Sequence, residues 1–87
     1  MPSIGRRSEE ATLVDMRLAL SRSLRERRLE AGLTQTAVAK QLGSSRSRVA
    51  KLEAGDASVS LELLIRALLA VGASRRDVAN ALARRVA

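Results

Sequence analysis

The chain has no cysteine, no histidine and no aromatic residue, and a single proline among 87 residues. Without cysteine there is no disulfide framework and no thiolate metal site. Without histidine the commonest general base and the commonest zinc ligand are missing together. What remains for catalysis is carboxylate, hydroxyl and the lysines Lys40 and Lys51. Ser44, Ser45 and Ser47 have no general base near them in sequence, and the acidic residues are scattered singly rather than at metal-ligand spacing. No catalytic residue, no metal and no cofactor is expected, so the chain reads as a non-enzyme. The lack of Phe, Tyr and Trp removes the platforms on which single-strand and RNA binders stack bases, and turns the expectation toward double-stranded DNA. No apolar run approaches the ~18 residues of a membrane span. Met1 to Arg7 carries two arginines but neither an apolar core behind them nor a cleavage pattern, so a soluble, cytoplasmic protein is expected.

Positive charge is what the chain has instead. Sixteen basic residues against nine acidic ones give a formal charge of +7, and fourteen of the sixteen are arginine. Arginine forks onto phosphate and guanine in a way lysine cannot. A GC-rich genome would also favour arginine over lysine, but would not produce the net charge. A basic single domain of this length points to a polyanionic partner, with nucleic acid ahead of a membrane surface. Its core is small enough that self-association is a reasonable expectation.

The centre of the chain is Thr34 to Gly55, which reads as two short helices joined by a tight turn. Thr34 can cap the first helix. Val38, Ala39 and Leu42 make its buried face. Gly43 suits the left-handed residue that ends a helix, and Ser45 can cap the second. Val49 and Leu52 form the apolar side of that second helix. Arg46, Ser47, Arg48, Ala50 and Lys51 lie on the other side, with three cations and no anion among them. That composition suits a helix laid against phosphates and base edges, although a solvated helix face has the same look.

Around this unit, residues 1–7 read as a flexible arm whose Arg6 and Arg7 could reach a groove, and 8–87 as a single domain with the helix-turn-helix at 35–54. A long helix is predicted over Ser8 to Ala31, capped by Ser8 and favoured by Glu9 and Glu10 at its positive end. Leu13, Met16, Leu20 and Leu24 form its stripe, widened by Val14 and Leu18. That stripe has three possible occupants: the chain's own C-terminal part, a second copy, or another protein. Leu33 sits where a hydrophobic staple to Val38 would form. Ser60 caps a fourth helix with Leu61, Leu64, Ile65, Leu68 and Leu69 as its buried face, leaving Leu63 and Val71 for a partner. Ser74 and Asp77 frame a capping box for a last helix with Val78, Leu82 and Val86 on its apolar side and Arg84 and Arg85 at its negative end. No strand signal and no repeat is present. The fold expected is all-α, with five helices and a long first one.

A set of residues stands at fixed spacing: Gly32-Leu33-Thr34-Gln35, then Val38-Ala39, Leu42-Gly43, Ser45, Val49, Leu52, Glu53 and Gly55, followed by Val59-Ser60-Leu61 and the apolar run to Gly72. In these the sequence resembles the lambda-repressor-like helix-turn-helix domain of the Cro and cI type, the Xre family. Within that family Arg48 to Asp56 and Val59 to Leu68 look like HigA-type antitoxins, the partners of HigB/RelE-type toxins. The resemblance implies that Gln35 binds a DNA phosphate and braces the second helix of the unit. It implies that Ser45, Arg46, Ser47 and Lys51 face base edges while Arg48 reaches phosphate, and that Arg28 and Glu53 form a structural ion pair. Arg46 and Ser47 depart from the glutamine-type readers of some relatives, so base preference does not transfer; arginine at this place suits guanine. The function implied is an autoregulating transcriptional repressor in a bacterium or phage, nucleoid-associated and homodimeric on an inverted-repeat operator. A RelE-like toxin protein is a further possible partner. The alternatives are a stand-alone phage-type or metabolic repressor, and a module that neutralises a toxin with little DNA binding.

Overall fold

The computed structural model describes the backbone of residues 2–84 and the side chains of residues 8–84. Five α-helices follow one another: α1 (Pro2–Glu30), α2 (Gln35–Leu42), α3 (Arg46–Ala54), α4 (Leu61–Ala70) and α5 (Arg75–Ala83). No strand occurs among the described residues. No helix among them is long and apolar enough to cross a membrane.

The helix boundaries follow local chemistry. Thr34 Oγ1 accepts from Ala37 N at 3.0 Å, Ser45 Oγ from Arg48 N at 3.1 Å, and Ser60 Oγ from Leu63 N at 3.0 Å. Each is a side chain filling in for a carbonyl that the first turn lacks. Ser74 and Asp77 form a reciprocal capping box at the start of α5. Gly43 closes α2 at φ 63° and Gly55 closes α3 at φ 70°, left-handed conformations in which a Cβ would be strained.

The first helix differs from expectation. It starts at Pro2, not at Ser8. Proline suits the first helical position because its missing N–H would have had no partner there, and nothing between Pro2 and Ser8 is strong enough to break the helix. Ser8 is therefore interior, its carbonyl accepting from Thr12 Oγ1 at 2.7 Å. Glu9 and Glu10 lie in the helix body rather than in its first turn. The side chains of Arg6 and Arg7, and residues Arg85 and Val86, fall outside what is described.

At ~1.5 Å per residue, α1 is roughly 43 Å long, close to the 47 Å long axis of the molecule. It is the spine on which α3, α4 and α5 pack. Leu20 and Leu24 of α1 meet Leu52, Val59, Leu64, Ala67, Leu68, Ala73, Val78 and Ala81 in the main core. A smaller cluster, Val38, Ala39 and Val49 with Leu33 against it, lies inside the α2–α3 unit. Leu42 and Val71 touch both clusters and join them.

The apolar stripes extend beyond the core they supply. Leu13 and Val14 are more than half exposed, while the end of α5 flanks the Ser8, Thr12, Asp15 and Met16 side of α1 at the same level. On α4 the buried residues are Leu64, Ala67 and Leu68, whereas Leu69 is exposed and Leu63 and Val71 pack on the core. The row Leu61, Ile65, Leu69 turns about 40° farther round the helix at each step of four. It starts beside the core and ends away from it.

Candidate nucleic-acid interface

The short α2 and α3 are held at a fixed angle by the Val38–Ala39–Val49 cluster, which needs small Ala39 for the two helices to approach. Val49 and Leu52 are fully buried, so α3 has one possible rotation about its axis. That rotation turns Ser45, Arg46, Ser47, Arg48 and Lys51 to solvent. The cations here are held outward by burial of the opposite face.

Glu53 is the single acidic residue between Gln35 and Ala54, and its side chain is only 5% exposed. Arg28, at the end of α1, reaches it twice: Nε donates to Oε2 at 2.5 Å and Nη2 to Oε1 at 3.0 Å. The third guanidinium nitrogen, Nη1, donates to the Leu33 carbonyl at 3.0 Å. The hydrogen bond to Glu53 raises the Arg28 pKa above its ordinary value, burial opposes that, and the carboxylate charge adds to the rise. The gain in net stability from such a pair is small, since attraction roughly offsets desolvation, but its geometry is demanding. It ties the end of α1 to the end of α3 and withdraws the only anion of α2–α3 from the outward face.

Gln35 joins the same cluster. Its Nε2 donates to Glu53 Oε1 at 3.2 Å, which links the first residue of α2 to the last turn of α3. An amide nitrogen carries two hydrogens, so one N–H is left for another acceptor.

Ser45, Ser47, Arg48 and Lys51 form one wall of a groove of about 520 Å³, and Ser58, Val59, Ser60 and Leu63 form the other. Arg46 stands on the outer side of α3 and is not part of that wall, and Gln35 sits at the α2 end of the unit. Six side chains from the sequence reading are thus distributed over three places: the groove, the outer face of α3, and the start of α2. Ser58 was missed, and Ser60 was read only as a cap. The signal that could have found them is the pair of hydroxyls in the short turn after Gly55, facing a basic helix. The turn holds one anion, Asp56, which is exposed. Hydrogen bonds from Ser58 hold its carboxylate below the ordinary value, helped by the nearby charges of Lys51 and Arg17. Among the described residues no three His, Cys, Asp or Glu side chains converge as a metal site would require.

No curated protein and no solved structure matches the chain significantly. A helix-turn-helix family model does match, over residues 24–78. That span runs from Leu24 in the last turns of α1 to the first residues of α5 and is more than half of the chain. Together with the Thr34 and Ser45 caps, the left-handed Gly43 and the buried Val49 and Leu52, it shows that the chain belongs to the helix-turn-helix family of the lambda-repressor, or Xre, type, a family of DNA-binding regulators.

Proposed function

We propose that the protein is a sequence-specific repressor that reads double-stranded DNA with α3. The observation that carries this is the charge arrangement of α2–α3. Every ionised side chain on its solvent face is a cation, and its one carboxylate, Glu53, is turned inward onto Arg28 and Gln35. In this reading α3 enters the major groove. Arg46, Ser47, Ser45 and Lys51 meet base edges, while Arg48 and the free N–H of Gln35 hold phosphates on either side. Arg46 on a guanine would use its O6 and N7 acceptors bidentately. Two copies would present their α3 helices about 34 Å apart to an inverted repeat.

The narrower role we propose is autoregulation as the antitoxin of a HigB/RelE-type toxin. It is supported by the likeness of Arg48 to Asp56 and Val59 to Leu68 to HigA-type antitoxins. The exposed Leu13 and Val14 of α1 would then serve a protein partner.

The test is fluorescence anisotropy on the duplex upstream of the protein's own gene, over a salt series. Repressor binding predicts a log–log slope of roughly −0.9 for each phosphate contact. Arg46→Ala should relax preference at one base pair per half-site, at a cost of about 1–3 kcal/mol on the preferred sequence. Arg48→Ala should weaken all duplexes equally and make the slope shallower. Affinity and selectivity that survive both changes would refute the assignment of α3. A protein that binds a RelE-like toxin but shows no salt-dependent DNA binding would instead be an interaction module.

A further inference from the structure

The geometry points to Arg17 as a positioning residue for DNA binding, supplied by the part of α1 that precedes the family-matched segment. This rests on the reading of the α3–α4 groove as a seat for DNA backbone. Arg17 Nη1 donates to the carbonyl of Val59 at 2.5 Å, a contact between residues 42 apart in sequence. Val59 is the residue before the α4 cap Ser60, and its side chain is buried in the main core. The guanidinium therefore ties α1 to the turn between α3 and α4.

The turn also has bonds of its own: Gly55 N donates to the Leu52 carbonyl at 3.3 Å and Asp56 N to the Lys51 carbonyl at 3.1 Å. Ser58 N donates to Asp56 Oδ1 at 2.8 Å and Val59 N to the Asp56 carbonyl at 3.3 Å. The charge of Arg17 also acts on Asp56, which helps keep it ionised as an acceptor. The turn presents Ser58 and Ser60 across the groove from Arg48 and Lys51. The hydroxyls of Ser58 and Ser60 facing two cations suit a phosphodiester, and their usefulness depends on where the turn is held.

A second contact locks the same two elements together. A Cβ on Gly55 would lie 2.9 Å from Leu18 Cδ2 and 3.5 Å from Ser21 Oγ, so the end of α3 sits directly on α1. Arg17, Leu18 and Ser21 all precede residue 24, where the family match begins. The early part of α1 thus acts as a bracket under the DNA-facing turn, and Arg17 is its polar fastening.

The experiment compares wild type with Arg17→Met and Arg17→Lys, well below their unfolding temperatures. Amide hydrogen exchange of the free proteins reads the turn directly, and anisotropy over a salt series reads DNA. Positioning predicts faster exchange at Ser58 and Val59 in Arg17→Met, with α2 and α3 amides unchanged. It predicts duplex binding weaker by about tenfold to a hundredfold, the size of one charge-assisted hydrogen bond lost. The salt slope should stay that of wild type, and Arg17→Lys should recover both readouts at least in part. Unchanged exchange or unchanged affinity in Arg17→Met overturns the proposal. So does a slope smaller by about 0.9 per subunit, which would make Arg17 a phosphate contact itself. If wild type shows no salt-dependent duplex binding, the DNA-binding reading falls and this proposal falls with it.

Discussion

Glu53→Ala should be among the most damaging single changes in the protein, and the structure sets its size. The substitution leaves the Arg28 guanidinium, 11% exposed, facing the site of the lost carboxylate with Nε and Nη2 unpaired. Removing one partner of a buried ion pair costs roughly 3–5 kcal/mol, most of it the penalty of the stranded charge. Here Nη1 keeps the Leu33 carbonyl at 3.0 Å, and some water can reach the group, so the lower end applies: about 3 kcal/mol. A domain of this size has ~4–13 kcal/mol in total. At about 4–8 °C per kcal/mol, the melting temperature should fall by roughly 12–24 °C. Urea titrations of wild type, Glu53→Ala, Arg28→Met and the Arg28→Met/Glu53→Leu double variant would measure this. The double variant removes both charges and should return to within about 1 kcal/mol of wild type. A Glu53→Ala cost below about 1 kcal/mol would refute the argument. So would a double variant whose cost is the sum of the single ones, since the two groups would then not be coupled.

Two further outcomes follow from the turns and caps. Gly43→Ala and Gly55→Ala both force a left-handed alanine, at about 1 kcal/mol. Only Gly55 would also drive a Cβ to 2.9 Å from Leu18 Cδ2, with nothing within 4 Å at Gly43. Leu18 Cδ2 is the end of a flexible, half-buried side chain that can turn aside, so Gly55→Ala should cost only about 0.5–1.5 kcal/mol more in urea, and a cost below that of Gly43→Ala would refute the close approach. The third concerns acid. The Asp77 carboxylate accepts from Ser74 N at 2.8 Å and is bridged by Arg27 at 3.1 Å. These partners, Ser74 first, hold its pKa below the ordinary 3.8. A folded pKa below the unfolded one means that the stabilisation is complete above pH 3.8 and is lost as pH falls below it. Asp77→Asn should lower the urea midpoint at neutral pH and flatten its decline below pH 3.8; a decline as steep as wild type would assign the acid loss to other carboxylates.

What the sequence made legible was mostly what is settled within four or five residues. Thr34, Ser45, Ser60 and the Ser74–Asp77 box each cap a helix within their own first turn, and Gly43 ends α2 from a single position. These need no knowledge of the rest of the chain, which is why the five helices could be anticipated. Ser8 shows the limit of the same logic. A serine followed by glutamates looks like a helix start whether or not the chain before it is already helical, and Pro2 carried an equally good start signal. Periodicity named the apolar residues of α4 but could not divide them, because Leu63 and Leu69 differ only in which side the neighbouring helices cover. The Arg17 contact to the Val59 carbonyl was invisible: a backbone carbonyl has no sequence signature, and 42 residues separate the two. Arg28 and Glu53 became a candidate pair only through the family resemblance, since nothing local relates residues on α1 and α3. At the interface, the outward direction of Arg46, Arg48 and Lys51 followed from burying Val49 and Leu52, whereas the opposite groove wall at Ser58 and Ser60 needed three dimensions.

The division of the core into two clusters also sets an order of assembly. Val38, Ala39 and Val49 lie close together in sequence, so the α2–α3 hairpin can close as soon as it leaves the ribosome. Leu20 and Leu24 emerge first of all, yet their earliest fully buried partner in the main cluster is Leu52, and the last is Ala81. At ~5–20 residues per second, α1 waits for seconds with its apolar stripe uncovered. The spine of the domain is therefore the first element made and the last to be secured, and its long exposure during synthesis makes it the segment most open to chaperones, proteases or a second nascent chain.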